Sequence, residues 1–139
     1  GEPMSRRSGK GKANHPGGYI GIPRRLAEQR DYLSLSTSAK VVLLALVYQY
    51  RGKNNGDLSA ANRLLRRWGI KSSTTAQKAI KELLEANMIV RTREGRFLNP
   101  GGRCALYALT WESIDECWGK LDVASTITPL RKLSLERSK

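Results

Sequence analysis

The sequence predicts an α+β fold that is mainly helical, with three helices at its centre, a β-hairpin after them and a further helix towards the C-terminus. Helical patterns follow one another over residues 36–50, 60–69 and 74–87. After Asn87 the apolar spacing changes to two short strand-like runs separated by a glycine-rich loop. A chain of 139 residues can bury one hydrophobic core of this kind and has little room for a second.

Three parts of the chain differ in composition. Residues 1–18 are rich in Gly, Ser, Lys and Arg and carry no apolar periodicity, so we expect a flexible basic arm. Residues 19–118 hold the apolar patterns and form the predicted domain. Residues 119–139 have few strong apolar positions and are expected to form an extended basic tail, in which LRKLSLE can become a helix against a partner.

The net charge predicts a polyanionic partner. Lysine and arginine number 25 and the acidic residues 12, which gives 25 − 12 = +13 at pH 7. Solubility alone does not require this excess, because a balanced mixture of charges would serve it equally well.

Other partner classes are not expected. Cys104 and Cys117 stand far apart in no metal-binding pattern, which predicts reduced core thiols and no metal or cofactor. The longest apolar run, residues 41–48, is too short to cross a bilayer. We therefore expect a cytoplasmic protein without a membrane partner.

The first elements are a short extended stretch over residues 19–23 and a short helix over residues 24–33, packed through Leu26 and Tyr32. A long helix follows, with Ser36 or Thr37 as its cap. Its apolar residues run nearly all round, so periodicity alone does not separate a buried helix from a buried strand. The cap and the length of the run favour a helix that ends near Tyr50.

The second helix is predicted to begin after a turn and a strand stub at Asp57 and Leu58, with Ser59 as its cap. Leu64, Leu65 and Trp68 form its buried stripe, and Arg63, Arg66 and Arg67 remain outside. Gly69 is placed to end this helix. A short, glycine-containing connection to the next helix is typical of a helix-turn-helix.

The third helix, residues 74–87, separates an apolar side from a polar one. The apolar side consists of Ala76, Ala79, Ile80, Leu83 and Leu84. The polar side is basic near its start and acidic near its end, and in a helix-turn-helix the N-terminal residues of this helix enter the major groove. Gln77 is therefore predicted to read adenine, and Lys78 or Lys81 to bind guanine or a phosphate.

Four hydroxyl residues, Ser72, Ser73, Thr74 and Thr75, stand in a row at the start of this helix. One hydroxyl among the first three is expected to cap the helix. The others, together with the free N–H groups of the first turn, can bond phosphate oxygens or base edges. The alternative is a serine- and threonine-rich loop of the ordinary kind that precedes many helices.

Residues 88–93 and 104–110 are predicted strands on either side of a loop marked by glycines and by Asn99–Pro100. Such a hairpin directly after a helix-turn-helix forms a wing. Four arginines surround the loop and are placed to reach phosphates or a minor groove: Arg91, Arg93, Arg96 and Arg103. A single arginine at such a position is more often merely solvated. The prediction therefore depends on the concentration of four arginines around one loop.

The last predicted helix covers residues 111–118, with Thr110 as its cap. Trp111, Ile114 and Trp118 are expected to pack against the core or against a second subunit. A palindromic target would imply a homodimer, and either this helix or the apolar first helix can supply the interface. The sequence does not exclude a monomer.

The order of these elements, over residues 32–117, resembles the winged helix-turn-helix DNA-binding proteins of bacterial mobile elements, prophages and plasmids. Three stretches carry the resemblance: residues 35–59, 72–93 and 103–117. The resemblance includes plasmid replication initiators and small transcriptional regulators. It implies DNA contact through Ser73, Thr74, Thr75, Gln77, Lys78 and Lys81 and through the wing arginines.

The function expected from the sequence is sequence-specific binding of double-stranded DNA, as a transcriptional regulator. Ser72 joins the recognition set, and backbone contacts are expected from Arg6, Arg7, Lys10, Lys12, Arg63, Arg66 and Arg67. One alternative is an accessory factor for replication, partition or excision of a mobile element. Another is a winged helix that binds protein or RNA, which the acidic Glu82 and Glu85 allow. An enzyme is not expected, because the chain has one histidine, no phosphate-binding glycine loop and no metal-ligand cluster.

Overall fold

The computed structural model describes residues 15–95 and 103–131 as a small α+β fold. In this part of the chain the helices are α1 (Arg24–Ala27), α2 (Arg30–Leu33), α3 (Thr37–Gln49), α4 (Asn62–Arg66) and α5 (Ser73–Glu85). The strands are β1 (Leu58–Ser59), β2 (Ile89–Arg93) and β3 (Leu106–Leu109), which form an antiparallel sheet in the order β1–β3–β2. This arrangement is compatible with a winged helix. None of the described helices is long and apolar enough to span a membrane.

Helix α3 forms the centre of the core. Ser36 is its cap, and the Ser36 Oγ accepts a hydrogen bond from the Ala39 N–H (3.1 Å). The buried residues of α3 are Ala39, Val42, Leu43, Ala45, Leu46 and Val47. Because they lie on most sides of the helix, α3 can pack at once against α5, α4 and β1. The predicted long helix is confirmed.

The predicted single helix over residues 24–33 is two short helices instead. Gln29 separates them, because its backbone is extended (φ −74°, ψ 146°). Leu26 is fully buried and Tyr32 is half-buried, as expected for the two residues that were predicted to pack.

Helix α4 begins later than predicted, and Ser59 is not its cap. Ser59 lies in β1, where the Gln49 side chain accepts from its N–H (2.8 Å) and donates to its carbonyl (2.7 Å). These two bonds hold Ser59 in an extended conformation, so the helix starts at Asn62. Leu65 is buried, and Leu64 and Trp68 are half-buried.

Left-handed residues end the two helices of the predicted helix-turn-helix. Gly69 (φ +95°) follows α4, where the Ile70 N–H donates to the Leu65 carbonyl (3.0 Å). Asn87 (φ +58°) follows α5, where the Met88 N–H donates to the Leu83 carbonyl (3.0 Å). A bond of this kind, donated by the residue that follows the left-handed one, allows the chain to leave a helix sharply.

The hairpin pairs β2 with β3, and β3 is shorter than the predicted strand over residues 104–110. The register shifts between Arg91 and Arg93, so that Thr92 is an extra residue on β2. Thr92 is buried, and its hydroxyl donates to the Gly56 carbonyl (2.6 Å). This bulge fixes the point at which the hairpin leaves the core.

The predicted C-terminal helix over residues 111–118 is wrong; the structure has only a short 3-10 turn, Cys117–Gly119. The buried Asn55 side chain takes the carbonyls that such a helix needs, since its Nδ2 donates to Glu112 (3.2 Å) and Ser113 (2.9 Å). Thr110 is not a cap, because its hydroxyl donates to the Asn87 carbonyl (2.6 Å).

The side chains of this region divide between core and solvent. Trp111 and Ile114 are buried, as expected, but Trp118 is 83% exposed. Cys117 is buried as predicted and Cys104 is exposed, so only one thiol belongs to the core. Burial of the Cys117 thiol raises its pKa, which keeps it protonated.

Candidate nucleic-acid interface

The polar side of α5 carries most of the side chains that the sequence singles out. Ser72, Ser73, Thr74, Gln77, Lys78 and Lys81 are exposed, and Thr75 is half-buried. The apolar side faces inward, with Ala76, Ala79 and Leu83 buried and Ile80 and Leu84 half-buried. Because α5 packs against α3 through that side, most of its polar side faces outward, while Thr75 and Glu82 are half-buried.

The four hydroxyl residues do different things. The Ser72 Oγ accepts from the Thr75 N–H (3.2 Å), which makes Ser72 the cap of α5. Among the described residues, the hydroxyls of Ser73 and Thr74 have no hydrogen-bond partner in the protein. Both lie in the first turn, where backbone N–H groups and the positive end of the helix dipole attract anions. The cap predicted for one of the first three hydroxyls is confirmed.

Gln77, Lys78 and Lys81 continue this surface along α5. Neither lysine forms an ion pair with any residue that the structure describes. Their ammonium groups are therefore not neutralised by a fixed acidic partner in the described part of the chain. The Gln77 amide, which offers both a donor and an acceptor, lies between the hydroxyl turn and the lysines in sequence.

The acidic end of α5 has a structural explanation. The Glu82 carboxylate accepts from both the N–H (2.5 Å) and the hydroxyl (2.8 Å) of Ser36. It thereby satisfies groups at the start of α3, where the helix dipole favours negative charge. Glu85 is exposed. The acidic character of this end is therefore partly a requirement of the fold.

The exposed cations extend from α5 to α4. Arg63, Arg66 and Arg67 are exposed, and none forms an ion pair within residues 15–95 and 103–131. Lys71, in the turn between the helices, is also exposed but is missing from the predicted contacts. Its position directly before Ser72, the cap of α5, is the sequence feature that could have identified it as a contact residue. From residue 58 to residue 81 there are six basic residues and no acidic one.

The wing arginines that the structure describes are held by contacts within the protein. The Arg93 guanidinium donates to the Cys104 carbonyl (2.7 Å), and the Arg103 guanidinium contacts Asp122 (3.0 Å). Arg91 donates to the Tyr107 hydroxyl (3.3 Å), and this bond raises the pKa of its guanidinium. These contacts fix the direction of each side chain.

Five of the predicted contact residues lie outside the described residues. They are Arg96 in the wing and Arg6, Arg7, Lys10 and Lys12 in the arm. Residues 99 and 100 of the predicted loop and residues 132–139 of the predicted tail also lie there.

The chain has no significant match among protein-family models, curated proteins or solved structures. Within the described ranges, no cluster of His, Cys, Asp and Glu is able to hold a metal ion.

Proposed function

We propose that the chain is a winged helix-turn-helix protein that binds double-stranded DNA sequence-specifically and acts as a transcriptional regulator. The observation that carries this proposal is the exposed surface over α4, the following turn and the first part of α5. Residues 58–81 contain six basic residues and no acidic one, and the exposed hydroxyls of Ser73 and Thr74 have no hydrogen-bond partner among the described residues. A polyanion that also offers hydrogen-bonding edges fits this combination.

In this proposal α5 is the recognition helix and enters the major groove by its N-terminal end. Ser73, Thr74 and the first-turn N–H groups bind phosphate oxygens or base edges. Gln77 reads a base, for which adenine is the geometric match, and Lys78 and Lys81 bind guanine or phosphate. Ser72 contributes indirectly, because its cap fixes the first turn.

In this proposal, the contacts with the DNA backbone come from three parts of the chain. Arg63, Arg66 and Arg67 of α4, with Lys71 of the turn, bind phosphates beside the recognition helix. Arg91, Arg93 and Arg103 of the wing lie next to the same duplex in this proposal, although Arg91 is also paired with Glu94 and Arg103 with Asp122. The arm, residues 1–18, adds cations that bind phosphates whatever the base sequence.

An accessory factor for replication, partition or excision of a mobile element would use the same surface and would differ in its target.

The protein- or RNA-binding alternative depends on the acidic end of α5. Because Glu82 is engaged with Ser36, that alternative loses one of its two acidic groups. A palindromic target would place two copies of the chain on the DNA.

The experiment that tests the proposal is selection of bound duplexes from random and genomic libraries. The selected duplex and a scrambled duplex of the same composition are then titrated across salt concentrations. A motif with a specificity ratio of roughly a thousand or more supports a sequence reader, and its genomic position separates a promoter operator from an origin or recombination site. Salt-dependent binding without a motif contradicts the proposal.

A further inference from the structure

Residues 120–131, the C-terminal strap, follow the short 3-10 turn and form neither helix nor strand. They nevertheless lie against the domain through hydrogen bonds at both ends of the segment. Asp122 contacts the hairpin near one end, and Arg131 contacts the end of α5 at the other. The strap therefore connects the wing to the recognition helix of the proposed function by a route separate from the β2 strand.

Asp122 ties together both strands of the hairpin. Its N–H donates to the carbonyl of the bulged Thr92 (2.8 Å). Its carboxylate accepts from the Glu94 N–H (3.2 Å), at the end of β2, and from the Arg103 guanidinium (3.0 Å), on the chain that leads into β3. One residue outside the hairpin thus spans the place where the wing leaves the core.

The other end of the strap is anchored more deeply. Arg131 is buried, and its N–H donates to the Thr110 carbonyl (2.7 Å). Its guanidinium donates to the carbonyls of Ala86 (3.3 Å) and Asn87 (3.2 Å) and to the Asp31 carboxylate (2.7 Å). These bonds satisfy carbonyls at the C-terminal end of α5, where a positive charge is favourable.

The middle of the strap is fixed as well. The Thr126 N–H donates to the Ile114 carbonyl (2.9 Å), and the Thr126 hydroxyl accepts from the Ile114 N–H (2.9 Å). Because Ile114 belongs to the core, the strap is held along its length and can transmit the position of α5 to the hairpin.

We propose that Asp122 is a positioning residue for the wing: it holds the hairpin at a fixed angle to α5, so that both meet one duplex together. This inference rests on the proposed DNA-binding function. The Asp122–Arg103 pair is partly exposed, and such pairs contribute little to the free energy of unfolding. Its effect is therefore expected on the geometry of the hairpin, and through it on DNA affinity.

Asp122→Ala tests this role, and Asp57→Ala is the matched control. Asp57 pairs with Lys120 of the same strap (2.9 Å), so both variants remove one negative charge and one strap ion pair. We expect Asp122→Ala to bind the selected duplex roughly tenfold more weakly than Asp57→Ala at about 0.1 M salt, as for the loss of one phosphate contact. The salt slope should fall by about one. Asp122→Asn, which keeps an acceptor for the Glu94 N–H, should recover most of the affinity.

Measurements of DNA affinity and of thermal stability can each overturn the inference. Binding equal to that of Asp57→Ala would mean that the contact does not affect DNA affinity, and tighter binding would mean that the carboxylate screens the wing instead of positioning it. A large loss of thermal stability in Asp122→Ala alone would mean that the contact is structural.

Amide hydrogen exchange in the free full-length protein separates this inference from the proposed function. The Glu94 amide should exchange faster in Asp122→Ala than in Asp57→Ala and remain protected in Asp122→Asn. If that pattern holds while the wild type binds no duplex, the proposed function fails and the hairpin contact stands. Unchanged exchange at Glu94 overturns the positioning role whatever the DNA result.

Discussion

Ser72 and Glu82 of the α5 region form hydrogen bonds within the fold, whereas Gln77, Lys78 and Lys81 between them face solvent. Ser72 caps α5 and Glu82 binds the start of α3. Gln77, midway along the helix, is exposed, and its amide neither caps α5 nor binds the start of α3. Single substitutions should therefore affect either stability or DNA binding, according to the residue changed.

Replacement of Gln77 by alanine should weaken binding to the selected duplex by about 1–3 kcal/mol, if its amide reads a base through two hydrogen bonds. Binding to a scrambled duplex should change little, because the amide carries no net charge. Titration of both duplexes with wild type and Gln77→Ala measures the difference, with Glu85→Ala as a control on the same helix. An equal loss on the two duplexes would make Gln77 a phosphate contact.

Replacement of Glu82 by alanine should lower the free energy of unfolding by about 1–2 kcal/mol, because two donors of Ser36 lose their acceptor at the start of α3. Denaturant unfolding of Glu82→Ala and of the exposed control Glu85→Ala gives the comparison. If the two variants are equally stable, the Ser36 contact does not stabilise the protein.

At the scale of elements, α4, the turn and α5 form one unit whose helix ends are set by short-range bonds. Gly69 ends α4 and Ser72 begins α5, so the turn is short and the orientation between the two helices is restricted. The sequence predicts both features, because a glycine and a hydroxyl residue in that order are strong local signals.

Ser72→Ala and Ser73→Ala should separate the cap from the proposed DNA contact. Loss of the Ser72 cap should lower the free energy of unfolding by about 1 kcal/mol. Ser73→Ala should leave stability unchanged, since its hydroxyl has no partner among the described residues, and should weaken DNA binding. Unfolding and DNA titration of both variants give the four values needed. A comparable loss of stability in the two variants would mean that Ser72 is wrongly assigned as the cap.

Some elements were not predictable from local pattern. Ser59 precedes a helical run and reads as a cap, but the Gln49 side chain, ten residues earlier, holds it in β1. Residues 111–118 have helical spacing, but Asn55 takes their carbonyls from more than fifty residues away in sequence. Side-chain bonds over such separations override local propensity and leave no periodic signal.

Asn55→Ala should therefore destabilise the protein strongly. The Asn55 amide bonds both the N–H (2.7 Å) and the carbonyl (3.0 Å) of Leu109 in β3, besides the carbonyls after it. Leaving these buried groups unpaired should cost roughly 3 kcal/mol or more. Denaturant unfolding measures the loss, and Lys53→Ala, an exposed change in the same turn region, is the control. A loss below about 1 kcal/mol would show that water replaces the amide.

At the scale of the whole molecule, positive charge extends over both the described domain and the termini. The order of helices and strands follows from apolar period and turn residues, so the coarse α+β fold was predictable. The internal contacts of the wing arginines were not, because Asp122 and Cys104 reach them only after the chain has folded. The proposed interface therefore rests more on α4 and α5 than on the wing.

Deletion of residues 4–18 should weaken binding to the selected and the scrambled duplex by similar factors. Cations of the arm neutralise phosphates whatever the bases are, so they add affinity without specificity. Titration of full-length and truncated chains at two salt concentrations tests this. A loss confined to the selected duplex would assign base reading to the arm.

The central claim is that the exposed face of α5 binds DNA, and the variant Lys78→Ala with Lys81→Ala tests it most directly. The measurement is the affinity of wild type and this double variant for the selected duplex across salt. Each ammonium bound to a phosphate contributes about 0.9 to the salt slope. The account predicts a slope lower by about two, or about one where one lysine binds a base, with unchanged stability. Unchanged affinity and slope would contradict the account and favour a protein- or RNA-binding winged helix.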